Sequence, residues 1–532
     1  MKGSTLGGPY DWNFTTVPQT SAKNRIFPAP RGKLLGGTAA HNLMSWDRAS
    51  SAEYDWEMLG NPGWTWDRMI AAMMKAETFE PSPLYGSTGV GTSGPIKSVI
   101  NRIVPEHQLP WIPTLNSMGV PSNLESLGGD PLGVMYQPGN IDPAPWNRSY
   151  AATGYLPLAG SNMEVMTNTR VAKVNLQAFG NGLQKATGVT LQDGTVISAR
   201  EEVIISAGSF QSPGLLELSG IGSASVLSAA GIPQIVDLPT VGENLQDHIR
   251  IQTSFQVKDN YTSFNELTHN ATFRDEQMAL RLAGEHSWYD YTASGYAFLN
   301  WQHISSAAAS TMSNLATSIF GASTSAVIRK KLAWLANPAV PQVELIFSDG
   351  YTGVKGYPAV GSPLYGKNLV TLIAVIMHPF SRGNVHVTSS NIEDTPAINP
   401  NYLSNEYDVQ AAMTAIKHAR KVANTEPLRG IWDAEYDPGL ELVPEQDNEA
   451  QYREFALNTT LTIYHPVGTC AMLPREDGGV VDPRLVVYGT SNLRVVDASI
   501  MPVLISAHIQ TAVYGIAEVA ADLIIEDHNE RN

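Results

Sequence analysis

A chain of 532 residues, 43% of them apolar and 16% charged, has enough hydrophobic content for two large cores, which excludes a disordered protein. Lys and Arg total 34 against 50 Asp and Glu, and the resulting formal charge of -16 argues against nucleic acid or anionic membrane as a partner. No run approaches the roughly 18 to 20 apolar residues that cross a bilayer, so a soluble protein is expected. The single Cys470 excludes an intrachain disulfide and any cysteine-based metal site, and we expect it in the core. Met1 to Pro9 contains no apolar segment of the kind a secretory signal needs, and the compartment is otherwise open.

In chain order, the first motif is Gly32-Lys33-Leu34-Leu35-Gly36-Gly37-Thr38-Ala39-Ala40-His41-Asn42. Its paired glycines let backbone N–H groups approach an anionic or flat ligand, although Gly-Gly alone also suits an ordinary turn. After the turn Asn61-Pro62-Gly63, a helix is predicted with Thr65 as N-cap and Met69, Ile70, Met73 and Met74 on one face. Residues 84 to 146 hold no period and read as a loop-rich cover. The string Gly89-Val90-Gly91-Thr92-Ser93-Gly94 has no strand before it and Pro95 after it, so it fails the context of a dinucleotide turn.

Strands are predicted at Met163 to Met166, Val171 to Leu176, Ala186 to Leu191 and Glu202 to Gly208. The last feeds Gly208-Ser209-Phe210-Gln211-Ser212-Pro213, where small residues open a helix whose free N–H groups suit a phosphate or ribose. Ser305 to Ser325 is rich in Ala and Ser. A second sheet is predicted from Val343 to Phe347, Leu369 to Met377 and Asn384 to Thr388, and helices from Glu406 to Asn424 and Thr511 to Ile525.

Two histidines stand out near the C-terminus, His465 in Tyr464-His465-Pro466-Val467-Gly468-Thr469-Cys470 and His508 in Ala507-His508-Ile509-Gln510. A neutral imidazole is suited to accept a proton at neutral pH, whereas either histidine alone also fits a satisfied core residue. No Gly-x-Ser-x-Gly elbow supplies a nucleophile for a hydrolase.

The segment 32–42 resembles the first signature of the glucose-methanol-choline oxidoreductases, departing from it at Ala39 and His41. Gly208 to Gly222 matches every fixed position of the second signature. Leu238 to His248, His378 to Val385, Pro400 to Leu403 and Val496 to Pro502 are also similar to family motifs. The resemblance implies FAD as cofactor, held by Gly36, Gly37, His41, Asn42, Val171, Gly208, Asp497, Ala498 and Ile509, with no metal. In the choline-oxidising branch a histidine at the place of His41 is joined covalently to the flavin; a packed or solvated histidine is the alternative. The resemblance makes His465 the base and His508 its hydrogen-bonding partner, while His248 reads as structural.

The implied fold is α/β: a Rossmann-like FAD-binding domain from 1–250 and 485–532, and an α+β substrate domain with an antiparallel sheet from 251–484. The opening βαβ unit of the family is expected to be missing, which would leave strand edges and the adenosine pocket exposed. The implied activity is oxidation of a primary or secondary alcohol to an aldehyde or ketone, with oxygen or a quinone as electron acceptor. Ala507 to Gln510 looks most like fungal members acting on aryl alcohols or in secondary metabolism. A flavin-poor, non-catalytic relative and a non-redox lyase on the same fold are the alternatives.

Overall fold

The continuous apolar run Leu369–Ile376 is the kind of strand that must be covered on both faces, and it lies inside a six-stranded antiparallel sheet. In the computed structural model, which describes residues 6–291, 295–444 and 448–531, the sheet order is Gly295–Leu299, Val343–Asp349, Leu369–Ile376, Ile249–Val257 and Trp432–Asp437. The short strand Leu461–Thr462 pairs with the start of Ile249–Val257. The first five residues of the N-terminus examined for a signal lie outside the described residues.

Register divides the side chains by face, because alternate residues of a strand point to opposite sides. Leu345, Phe347, Leu372, Ala374 and Ile251 enter a core roofed by the helix Glu406–Ala423. Tyr296, Phe298, Ile346, Ile373, Val375 and Met377 form a smaller cluster on the opposite face. Glu344 lies opposite Val375, and Gln252 opposite Ile373, so both polar residues belong to this second face.

The other half packs around a separate core that includes Trp56, Met69, Ile205, Val467, Val495 and Ile516. Here Val203–Ile205 pairs in parallel with Leu493–Val495, and Val171–Phe179, Leu183–Leu191 and Val196–Ser198 form a three-stranded antiparallel meander. The helix Trp66–Ala76, capped by the Thr65 hydroxyl as expected, carries Met69 and Met73 inward. It packs against the C-terminal helix Gln510–Arg531, where Gly515 lets the Met73 side chain approach closely. Cys470 is buried.

Several expectations need correction. The supposed cover at 84–146 contains the strand Ile96–Ile100, parallel to Glu77–Phe79, and the helix Trp111–Ser117. Nothing local marks that strand; it is fixed by the buried Glu77, which binds Arg48 at 2.7 Å and accepts from Trp46 Nε1 and Ser98 Oγ. In the Gly89–Gly94 string, Gly91 and Gly94 are packing glycines, since a Cβ on either would strike backbone of residues 74–77 within 2.4 Å. Met163 to Met166 forms no strand and is exposed, having no neighbouring strand to pair with. Asn384–His386 forms a two-stranded ribbon with Ala397–Asn399 instead of joining the large sheet. Ser306–Phe320 is a helix. Among the described residues, no helix is long and apolar enough to cross a membrane.

Candidate active site

His465 and His508 meet at the seam between the two halves, their rings edge to face with centroids 4.9 Å apart. They arrive on different elements. His465 follows the strand Leu461–Thr462, and its backbone N–H donates to Asp247 Oδ1 at 2.7 Å. Asp247 is buried and is itself gripped by the hydroxyls of Tyr402 and Thr462. The ring of His465 contacts His248, Nδ1 to Nδ1 at 2.9 Å, and His248 Nε2 lies 3.0 Å from the carbonyl oxygen of Met377.

His508 stands just ahead of the C-terminal helix and is held twice by Asp47. Its backbone N–H donates to Oδ1 at 2.8 Å, and its Nδ1 lies 2.7 Å from Oδ2. Glu344 Oε1, from the second face of the sheet, is 3.5 Å from the same nitrogen. Neither Glu344 oxygen has a hydrogen-bond partner, and burial pushes this carboxyl above the usual range. Tyr296 closes the group, its ring edge-on to His508 at 5.7 Å and its hydroxyl 2.6 Å from Ser45 Oγ.

These surroundings drive the two imidazoles apart. Burial, together with His508, His248 and Arg31, pushes His465 well below its ordinary value and keeps it neutral. Burial also opposes a charge on His508, but the carboxylates of Glu344 and Asp47 outweigh it and raise His508 to about 9. The site thus pairs a neutral imidazole with a charged one, the arrangement expected of a base beside an acid.

The residues expected at the cofactor fall into three groups. Gly36 and Gly37 both have positive φ, 86° and 56°; a Cβ on Gly36 would strike the Tyr150 ring, whereas one on Gly37 would meet nothing within 4 Å. His41 is buried with Nδ1 unpartnered. Asn42 donates to Gln510 Oε1 at 2.9 Å and accepts from Arg148 at 2.6 Å. Gly208, at φ 80°, likewise has open space where a Cβ would stand, and its N–H donates to Asp497 Oδ2 at 2.8 Å. Asp497 also accepts from Ser212 and Ser499, so its carboxylate is a cap that ties this turn to the short 3₁₀ turn Ala498–Ile500. Val171 opens its strand half-buried, and Ile509 packs on the core immediately before the C-terminal helix.

Two open glycine backbones, an orphaned imidazole nitrogen and the start of a 22-residue helix beside His508 fit the needs of FAD, an anionic and flat cofactor. Reading the sequence missed Asp47, Glu344 and Arg148, and gave His248 only a structural place. The Glu243-Asn244-Leu245-Gln246-Asp247-His248 run was the one available signal.

Two family models, each described as GMC oxidoreductase, match residues 15–250 and 379–517. The GMC oxidoreductase family protein Mala s 12 of Malassezia sympodialis is 34% identical over 545 residues, spanning 99% of this chain and 84% of that protein. A solved FAD-dependent oxidoreductase from Chaetomium thermophilum superposes with a TM-score of 0.87 at 26% identity, covering 98% of this chain and 91% of the other. A fungal aryl-alcohol oxidase gives a TM-score of 0.80 at 28% identity, covering 98% and 90%. The expected loss of the family's opening unit is not borne out: the N-terminal model is matched from residue 15. Both family models and the relative 34% identical along nearly the whole chain, joined to an α/β fold with an FAD-type domain and an antiparallel substrate-side sheet, place this chain in the glucose-methanol-choline (GMC) oxidoreductase family.

Proposed function

We propose that this protein oxidises an apolar primary or secondary alcohol, with aryl alcohols the favoured class, to the aldehyde or ketone. The observation that carries the reading is the neutral His465 packed against the charged His508. His508 holds the alcohol oxygen by hydrogen bonding, and His465 takes the hydroxyl proton. As that proton leaves, the C–H electron pair departs as hydride and the C=O double bond forms. FAD, when bound, would supply the acceptor for the hydride, with oxygen or a quinone as the final electron acceptor.

Gly36, Gly37, His41, Asn42, Val171, Gly208, Asp497, Ala498 and Ile509 are the residues that would hold FAD. The positive end of the C-terminal helix favours negative charge developing beside it. The substrate preference rests on the wall next to His508. Tyr296, Phe298, Ile346 and Ile373 make it apolar, while Gln252 and Glu344 offer side-chain polar atoms that have no hydrogen-bond partner. Such a wall suits an aromatic or aliphatic body carrying one further polar group better than a sugar. The aryl-alcohol oxidase among the similar structures supports the same class.

The test is anaerobic mixing of the FAD-loaded protein with a panel of benzylic and aliphatic alcohols. Loss of the visible flavin absorption with formation of the matching aldehyde is the expected result. Retention of the flavin colour with every alcohol, or release of an aldehyde without loss of colour, would favour a non-redox relative instead.

A further inference from the structure

We propose that His248 sets the tautomer of His465 and thereby makes His465 Nε2, rather than Nδ1, the proton-accepting atom. The inference rests on His465 being the base and adds which nitrogen acts and what decides it.

One fixed point determines where the hydrogens of this pair lie. The carbonyl oxygen of Met377 can only accept, so His248 Nε2, 3.0 Å away, carries a proton. His248 is wholly buried with His378, His508 and Lys331 around it, an environment that pushes it well below its ordinary value and keeps it neutral. A neutral imidazole protonated on Nε2 has only a lone pair on Nδ1. That lone pair faces His465 Nδ1 at 2.9 Å. His465 must therefore donate from Nδ1, and the lone pair of the neutral His465 ring is left on Nε2. The opposite tautomer would set two lone pairs against each other in a buried site and leave both unsatisfied, which is the costly arrangement.

The geometry points to a clamp made by a single dipeptide. Asp247 fixes the backbone of His465 through its N–H, and His248 fixes the ring through its Nδ1–H. Both enter from the start of the central strand Ile249–Val257, while Met377 directly follows the paired strand Leu369–Ile376. The large sheet thus acts on the proton transfer through two side chains and one carbonyl. His248 is a positioning residue and need not touch the substrate.

The experiment is ¹⁵N NMR of the full-length, FAD-loaded protein carrying ¹⁵N-labelled histidine, with the His465 signals assigned by their loss in His465→Gln. The expected spectrum shows His465 protonated at Nδ1 and unprotonated at Nε2. A spectrum with His465 protonated at Nε2 overturns the inference, whether or not any alcohol is oxidised, so this outcome is separate from failure of the proposed activity. In His248→Leu the Nε2–H form should appear, and the limiting rate of alcohol oxidation should fall by about 10²-fold with little change in KM. An unchanged tautomer and rate in that variant would also overturn it. His248→Gln, whose amide can accept from His465 and donate to Met377, should restore the wild-type tautomer and most of the rate.

Discussion

At the scale of single residues, the site is a contrast between two imidazoles of the same chemical type. His465 faces His248, His508 and Arg31, while His508 faces Asp47, Glu344 and the Tyr296 ring. Replacing His465 by Ala should slow alcohol-driven bleaching of bound flavin by about 10²–10⁴-fold while leaving the flavin bound, measured by anaerobic stopped flow. The pH dependence follows from the directions of the two shifts. His465 is already neutral through the neutral range, and His508 keeps its proton until the pH rises through about 9. The bleaching rate should therefore be flat near neutrality and decline above that value. Asp47→Asn removes one of the two carboxylates that raise His508, so the decline should begin at lower pH. The two histidines were legible in the sequence because each sits in a distinctive motif. Asp47 and Glu344 were not, because an Asp after a Trp or a Glu within a strand looks like any solvated acid until register and burial bring it to His508.

At the scale of elements, a charged cross-link outside the site is made by His386 on its short ribbon. Its Nδ1 lies 2.7 Å from Glu217 on the helix Ser212–Leu218, and its Nε2 lies 3.0 Å from Glu243. Burial alone would lower this histidine, but the two carboxylates raise it to about 9. A histidine raised in the folded state stabilises fully below its unfolded value of ~6.5, and the contribution is lost as pH climbs through about 9. His386→Ala leaves the buried Glu217 without its counter-charge and should cost about 3 kcal/mol near neutral pH, shrinking as the pH rises to about 9 and small above it. Urea titrations at two pH values would measure both parts. The strands Val171–Phe179, Leu183–Leu191, Val343–Asp349 and Leu369–Ile376 and the capped helix Trp66–Ala76 were readable from pattern and cap, whereas Ile249–Val257 was missed. Ile96–Ile100 was not readable, because its partner Glu77–Phe79 and the Arg48–Glu77 pair come from elsewhere in the chain.

At the scale of the whole molecule, the early part of the chain and its C-terminal stretch are joined through the site. Asp47 holds His508, Glu53 accepts from Ser506 N–H at 2.7 Å, and Asn42 donates to Gln510. The helices Trp66–Ala76 and Gln510–Arg531 pack along the same seam. A Cβ on Gly515 would lie 2.8 Å from Met73 Cγ and 3.1 Å from Met69 Cε, so side chains there must shift to admit anything larger than glycine. Gly515→Val should overpack this contact and cost ~1–3 kcal/mol, read as a lower denaturant midpoint with flavin release preceding global unfolding. The apolar content alone allowed for two large cores. The meeting of residues 461 positions apart at one imidazole could not be anticipated, because no local pattern encodes it.

The Asp47–His508 bond also has a consequence in time. During synthesis every strand of the large sheet and its roofing helix Glu406–Ala423 are made before His508, so Asp47 waits for its partner while that sheet can already be pairing. A chain cut short before residue 508 would leave Asp47 without this partner, however completely its sheet had formed.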